Sequence, residues 1–211
     1  MFFLNRLRKV ELALLLSLAL TLAFGSVLTQ SQASLANRVI RLHVLANSDR
    51  PEDQALKLKV RDKILKEAET VLGNEGNLQE AEARLRENLP SLAKAGADEV
   101  AAEGYHDTVT VRLEKTYFPT KEYDGFSFPA GEYTALRVLI GKGEGHNWWC
   151  VLFPPLCQGA VTEPVEQTAR KAGLSEQQVS LITEKNQGYV LKFKCVELWD
   201  SFAHLLEDHK K

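Results

Sequence analysis

The sequence predicts an α+β fold: a mixed, largely antiparallel sheet with helices packed mainly on one face, preceded by an N-terminal signal or anchor helix. Three observations carry this expectation. Several short segments alternate apolar and polar residues with the period of two that a strand imposes. Others repeat apolar residues every four positions, as a helix with one buried stripe does. The segments also come in runs (strand, two helices, three strands, helix, strand, helix), an order that favours α+β over a regularly alternating α/β architecture.

The N-terminus differs from the rest. Arg6, Arg8 and Lys9 precede an apolar run from Leu12 to Phe24 that only Ser17 and Thr21 interrupt, and Ser31-Gln32-Ala33 then offers small residues at signal-peptidase spacing. A helix that spans a bilayer usually needs about 20 apolar residues, so this shorter run reads as a signal peptide cleaved after Ala33 or as an uncleaved membrane anchor. A buried helix of the domain is the alternative, but the run has almost no polar face to turn to water. Residues 1–33 are therefore assigned to export, and 34–211 to a single α+β domain.

Within that domain, Ile40, Leu42, Val44 and Ala46 alternate with Arg41 and His43, a strand with one buried face. Asn47-Ser48-Asp49 ends it. Asp49 and Glu52 stand at capping-box spacing, and Pro51 suits the first turn of a helix. Leu56, Val60, Ile64, Ala68 and Leu72 form the stripe of that helix, with Lys59, Lys63 and Lys66 on a solvated face. A turn at 73–76 leads to a second helix, capped by Asn77 with Glu80 and carrying Leu78, Ala81, Leu85 and Leu89. Pro90 interrupts it, Ser91 restarts it, and Gly104 ends the helical region.

Val109, Val111 and Leu113 alternate with Thr110, Arg112 and Glu114 as the next strand, and 118–130 reads as a long loop. Another strand runs from Glu132 to Ile140, with Thr134, Leu136, Val138 and Ile140 facing one way. Trp148 to Phe153 is apolar on both faces and reads as a central strand. Gly141-Lys142-Gly143-Glu144-Gly145 between them opens no helix, so it reads as a turn joining two antiparallel strands, not a phosphate-binding loop. Residues 162–185 are helical with Ser175 as a cap; Tyr189 to Glu197 is a last strand and Leu198 to Glu207 a closing helix. By parity the second sheet face is at least partly wet and collects Arg41, His43, Arg112, Glu114, Lys192 and Lys194.

Charge and composition point away from several functions. Of 26 basic and 28 acidic residues, the first 33 positions hold three and one, which leaves a domain of 23 and 27 and no electrostatic footprint for nucleic acid. The three cysteines and five histidines show no metal-ligand spacing, and no cofactor motif or nucleophile elbow is present. Cys150 and Cys157 flank Pro154-Pro155, which turns the chain back; in an exported protein they form a candidate disulfide, two buried thiols being the alternative. Cys195 lies on the apolar face of its strand and reads as core.

Three segments carry a family resemblance: the export segment, RLHVLANSDRPEDQALKLKVRD at 41–62, and FPAGEYTALRVLIGKGEGHNWWCVLFPPLC at 128–157. Together they resemble stage II sporulation protein R of endospore-forming bacteria. The resemblance implies a secreted signal with no cofactor and no small-molecule substrate. Such a signal is made in the forespore and exported into the intermembrane space of the septum. There it activates a membrane-embedded aspartic protease, through that protease's extracytoplasmic part, and the protease processes the precursor of mother-cell sigma factor E. Carried over by position, the candidate partner-binding residues are His43, Asn47, Asp49, Arg61, Arg137, Asn147, Trp148 and Trp149. Two rivals remain: an exported hydrolase acting at the septum through Cys150 or His43, and a structural septum protein.

Overall fold

The computed structural model describes residues 11–12, 14–17, 34–73, 77–157 and 164–183. Strand β1 (Ile40–Leu45) is followed by helices α1 (Pro51–Leu72), α2 (Leu78–Glu87) and α3 (Leu89–Ala102). Then come β2 (Val109–Phe118), a small hairpin of β3 (Lys121–Tyr123) and β4 (Phe126–Phe128), β5 (Gly131–Ile140) and β6 (Asn147–Phe153). Two short helices follow, α4 (Val165–Lys171) and α5 (Glu176–Thr183). The main sheet has the order β2-β5-β1-β6, with β1 parallel to β5 and the other pairs antiparallel. This is the expected mixed α+β architecture.

The three longer helices cover one face. The α1 stripe of Leu56, Val60, Ile64, Ala68 and Leu72 is buried against Leu42, Val44, Leu136, Val138 and Cys150. Each fully buried aliphatic side chain of this kind stabilises the fold by about 1.5–3 kcal/mol. Asn77 caps α2 as expected, its side chain accepting from the Gln79 N–H at 2.9 Å. Pro90 sits in the first turn of α3, where its missing N–H is not needed.

Five expectations change. β1 is buried on both faces, Arg41 and His43 included, because β1 is paired on both sides and its second face is roofed over. The roof is a second core of Leu35, Phe118, Phe126, Phe128, Leu156 and residues of α4 and α5, packed on Tyr133, Ala135 and Val151. Residues 118–130 are no plain loop: they hold the β3–β4 hairpin that brings these aromatics over the sheet. β6 pairs with β1 alone among the described residues, so the central positions fall to β1 and β5. Its apolar double face is explained by the two cores it separates.

The glycine-rich segment 141–145 is not a hairpin turn, since β1 lies between β5 and β6; it crosses over the end of β1. Lastly, the helical region near 162–185 is two helices. Ser175 and Gln178 exchange reciprocal capping bonds of 2.9 and 3.3 Å at the start of the second. The strand and helix expected at 189–207, with Cys195, Lys192 and Lys194, lie outside the described residues, as does most of the N-terminal segment. Of that segment, Leu12, Leu14, Leu15 and Leu16 are helical and strongly exposed. Among the described residues no helix is long and apolar enough to cross a membrane.

Candidate functional site

The sequence-predicted residues fall into three groups, separated by which side of the sheet they occupy. The first group holds the crossing loop. Asn47 Oδ1 accepts from the Lys142 N–H at 2.9 Å, and Asp49 Oδ1 accepts from the His146 N–H at 2.6 Å. The Gly145 N–H donates to the Ala46 carbonyl at 2.9 Å, so the loop lies directly on the end of β1. Glycine is required there by close approach: a Cβ on Gly145 would stand 2.3 Å from the Ser48 carbonyl oxygen, and one on Gly141 2.3 Å from Asn47 Oδ1. The expected Asp49–Glu52 capping box does not form. Arg50 is the N-cap and makes no side-chain cap bond, because Asp49 is turned toward the loop.

The interior of this turn is held by Asp53, whose carboxylate is fully buried and accepts from the Ser48 hydroxyl at 2.5 Å and from the Arg50 guanidinium at 3.1 Å. The Ser48 hydrogen bond, joined by Arg50, holds its carboxyl below the usual range against the opposing effect of burial. Lys57, also buried, donates to the His146 carbonyl at 2.9 Å and to Gln54 at 2.6 Å; burial pushes its ammonium pKa down. Asn47 and Asp49 are thus positioning residues.

The second group faces the helices. Trp148 packs at the margin of the helix-side core, and the Arg61 guanidinium of α1 lies 4.6 Å from its ring centroid while pairing with Asp62 at 2.7 Å. Cys150 is on this side too, joined to Cys157 in a disulfide with Cα atoms 5.4 Å apart, both residues buried. His43 is on the opposite side, because its neighbour Leu42, not His43, is the register partner of Cys150. A Cys150–His43 catalytic pair is therefore excluded by parity, and the sulfur is committed to a disulfide.

The third group forms one row across the other face. Register places Trp149 of β6 beside His43 of β1, His43 beside Arg137 of β5, and Arg137 beside Arg112 of β2. His43 Nε2 and Asn147 Oδ1 are 2.7 Å apart, a geometry in which the ring nitrogen donates to the amide oxygen. Burial holds the His43 imidazole below the ordinary histidine range, against the Asn147 hydrogen bond and in concert with the charges of Arg137 and Arg41. The Trp149 indole stacks on His43 at 5.7 Å, and the Lys121 ammonium of the hairpin lies 3.9 Å from its ring centroid. Neither tryptophan is fully exposed or fully core; both are half-buried. Arg137 Nη1 donates to Glu114 at 2.6 Å.

Under this row lies Arg41, which was not among the expected site residues although it shares parity with His43. Its guanidinium is fully buried, 4.2 Å from the Phe118 ring centroid and 5.0 Å from that of Tyr133, and donates to the Tyr123 hydroxyl at 2.6 Å. Burial raises the pKa of Tyr123 and Tyr133. Buried nitrogens of Arg41 (Nε, Nη1), His43 (Nδ1), Arg137 (Nε) and Trp149 (Nε1) have no hydrogen-bond partner among the described residues. Nor, among those residues, does any group of three His, Cys, Asp or Glu side chains gather as a metal set.

The sequence model of the stage II sporulation protein R family matches residues 36–163, a stretch that holds both sheets and every residue of the row. A stage II sporulation protein R of Bacillus subtilis (strain 168) is 42% identical over 123 residues, 58% of this chain and 55% of that protein. The chain thus spans about half the length of that relative. No solved structure matches it. Because the family model covers more than half of the chain, including the whole of the sheet that carries the candidate site, the chain belongs to the stage II sporulation protein R family.

Proposed function

We propose that this protein is a secreted sporulation signal. Its sheet face docks on the extracytoplasmic part of a membrane-embedded aspartic protease, which then processes the precursor of mother-cell sigma factor E. The role in sporulation rests on family membership. The docking reading rests on Trp149 and Arg137, an aromatic and a guanidinium group half-buried on the two strands that flank the buried His43. Tryptophan and arginine are the side chains that most often anchor an interface. The exposed leucines near residue 14 support delivery across the cytoplasmic membrane by the N-terminal segment, which either is cleaved or stays as an anchor.

The test is to co-produce the full chain, the protease and the sigma-factor precursor, and to follow removal of the pro-sequence. Trp149→Ala should lose most processing while the protein still melts cooperatively, a central aromatic anchor contributing about 2–4 kcal/mol to binding. His43→Gln should keep part of it, since an amide reproduces one hydrogen bond of the ring, whereas a general base would lose about 10²–10⁴-fold. A Trp149→Ala protein that drives processing at the parental rate would remove the face from the mechanism.

A further inference from the structure

Strand β2 stands at one edge of the main sheet and, among the described residues, pairs only with β5. At 10 residues it is a long edge, and an unpaired edge is a template for a further strand. The end of the ladder shows which backbone groups it offers. The Gly141 N–H donates to the Thr108 carbonyl at 2.8 Å, one step beyond the pairing of Val109 with Ile140. Bonded and non-bonded pairs alternate along an antiparallel ladder, so the even-numbered residues of β2 bond to β5. The N–H and C=O groups of Val111, Leu113 and Lys115 therefore point away from the sheet, and among the described residues none of them takes another partner.

The side chains along this edge carry a mismatch of charge. Arg112 is exposed and stands directly opposite Arg137, and no carboxylate pairs with it among the described residues. Like charges in that position weaken a strand pair. Glu114, on the same face, accepts from Arg137 through Oε1 and is 35% exposed, which leaves Oε2 for a second donor. An antiparallel copy of β2 resolves both. With a twofold axis at Leu113, Leu113 meets Leu113 and Val111 meets Lys115 of the second copy, through the outward backbone groups. Arg112 then faces Glu114 of the second copy, twice by symmetry, in non-bonded pairs whose Cα atoms are about 4.5 Å apart and whose side chains come closest. The charges also select this register. An axis at residue 112 sets arginine against arginine, and one at 114 sets glutamate against glutamate.

We propose that two copies of this chain join through their β2 edges, antiparallel about Leu113, into one continuous sheet with an Arg112–Glu114 bridge on each side of the axis. The contact is one strand from each copy, so the dimer is weak and dissociates on dilution. It concerns assembly and stands apart from the docking reading above.

The experiment weighs the full chain in density-matched detergent by sedimentation equilibrium over a concentration series, with every variant first checked by thermal melting. The parent should pass from one chain to two as concentration rises. Arg112→Glu and Glu114→Arg should each weaken association at least tenfold, because like charges then face one another twice. Mixing those two variants should restore the dimer, since every facing pair is again of opposite charge. Should Glu114→Arg fail to fold, because Glu114 also holds Arg137, the cysteine variants give a second test. Thr110→Cys and Thr116→Cys proteins, mixed and oxidised, should cross-link above the level of either alone, because residue 110 of one copy faces residue 116 of the other. A parent that stays a single chain at every concentration overturns the proposal; slow amide exchange at Val111, Leu113 and Lys115 in that single chain would show the edge filled by another segment of the same chain, such as 189–197. A dimer that Arg112→Glu leaves unchanged, or a mixture of the cysteine variants that does not cross-link, places the contact elsewhere and overturns it too.

Discussion

Replacing Gly145 by alanine tests the crossing loop, on which the placement of Asn147 and His43 depends. A Cβ there would stand 2.3 Å from the Ser48 carbonyl oxygen, 2.6 Å from its carbon and 3.0 Å from the Ala46 Cβ. The first two are backbone atoms, so no side chain can rotate away, and the loop itself must lift by about 1 Å to reach ordinary contact. Overpacking of this kind costs about 1–3 kcal/mol. Lifting the loop also weakens the Gly145 N–H to Ala46 carbonyl bond and the His146 N–H to Asp49 bond, each contributing about 0.5–1.5 kcal/mol. The expected destabilisation is about 3 kcal/mol, a fall in Tm of about 6–12 °C for a domain of this size. The control is Gly104→Ala, where φ is +80° but nothing stands within 4 Å of the added carbon. It should cost about 1–2 kcal/mol, from the left-handed backbone alone. Urea melts of the parent and both variants give the order, and amide exchange at His146 should accelerate in Gly145→Ala only. If Gly145→Ala is no less stable than Gly104→Ala, the loop does not rest on the end of β1 and the geometry argued for Asn147 fails.

Three other outcomes are expected. Reduction, or Cys150→Ser with Cys157→Ser, should destabilise the protein by about 2–3 kcal/mol on the loop-entropy model; alkylation and mass spectrometry without reductant should find these two sulfurs protected, and finding them alkylated refutes the pairing. Because burial holds the folded-state pKa of His43 below 6.5, the unfolded chain binds more protons in the interval beneath 6.5. The stability contributed by neutral His43 is therefore complete above that pH and declines as pH falls through 6.5 toward the folded value. His43→Gln should flatten that part of the stability profile, and an unchanged slope would count against the assignment. Replacing Leu14, Leu15 and Leu16 by Asp should retain the protein in the compartment that made it, at about 2.5–3.5 kcal/mol for each charge at the centre of an inserting segment; cell fractionation checks this, and export at the parental level would remove the delivery role given to the segment.

Much of the architecture was legible because it is written in local periodicity. The four-residue stripe of α1, the Asn77 cap, the proline at the head of α3 and the alternation in β2 and β5 depend on neighbours a few positions apart. Several of the misreadings concern what a strand touches across the sheet. Alternation in β1 marks Arg41 and His43 as facing away from the helices, which is correct, but not whether water or a second core meets them; the answer comes from a hairpin some 80 residues away. The 141–145 segment has the composition of a hairpin turn, and only the insertion of β1 between β5 and β6 makes it a crossing loop. Asp49 has capping spacing, yet its carboxylate is captured by His146, 97 positions along the chain. The candidate residues were named by family resemblance, and tertiary structure sorted them: Asn47 and Asp49 hold the loop, Arg61 and Trp148 lie with the helices, and His43, Arg137, Asn147 and Trp149 share the other face. Sequence determines which way a side chain leaves its own strand, because the pleat has a period of two. Which strands lie side by side, and so which side chains meet, is decided by long-range pairing.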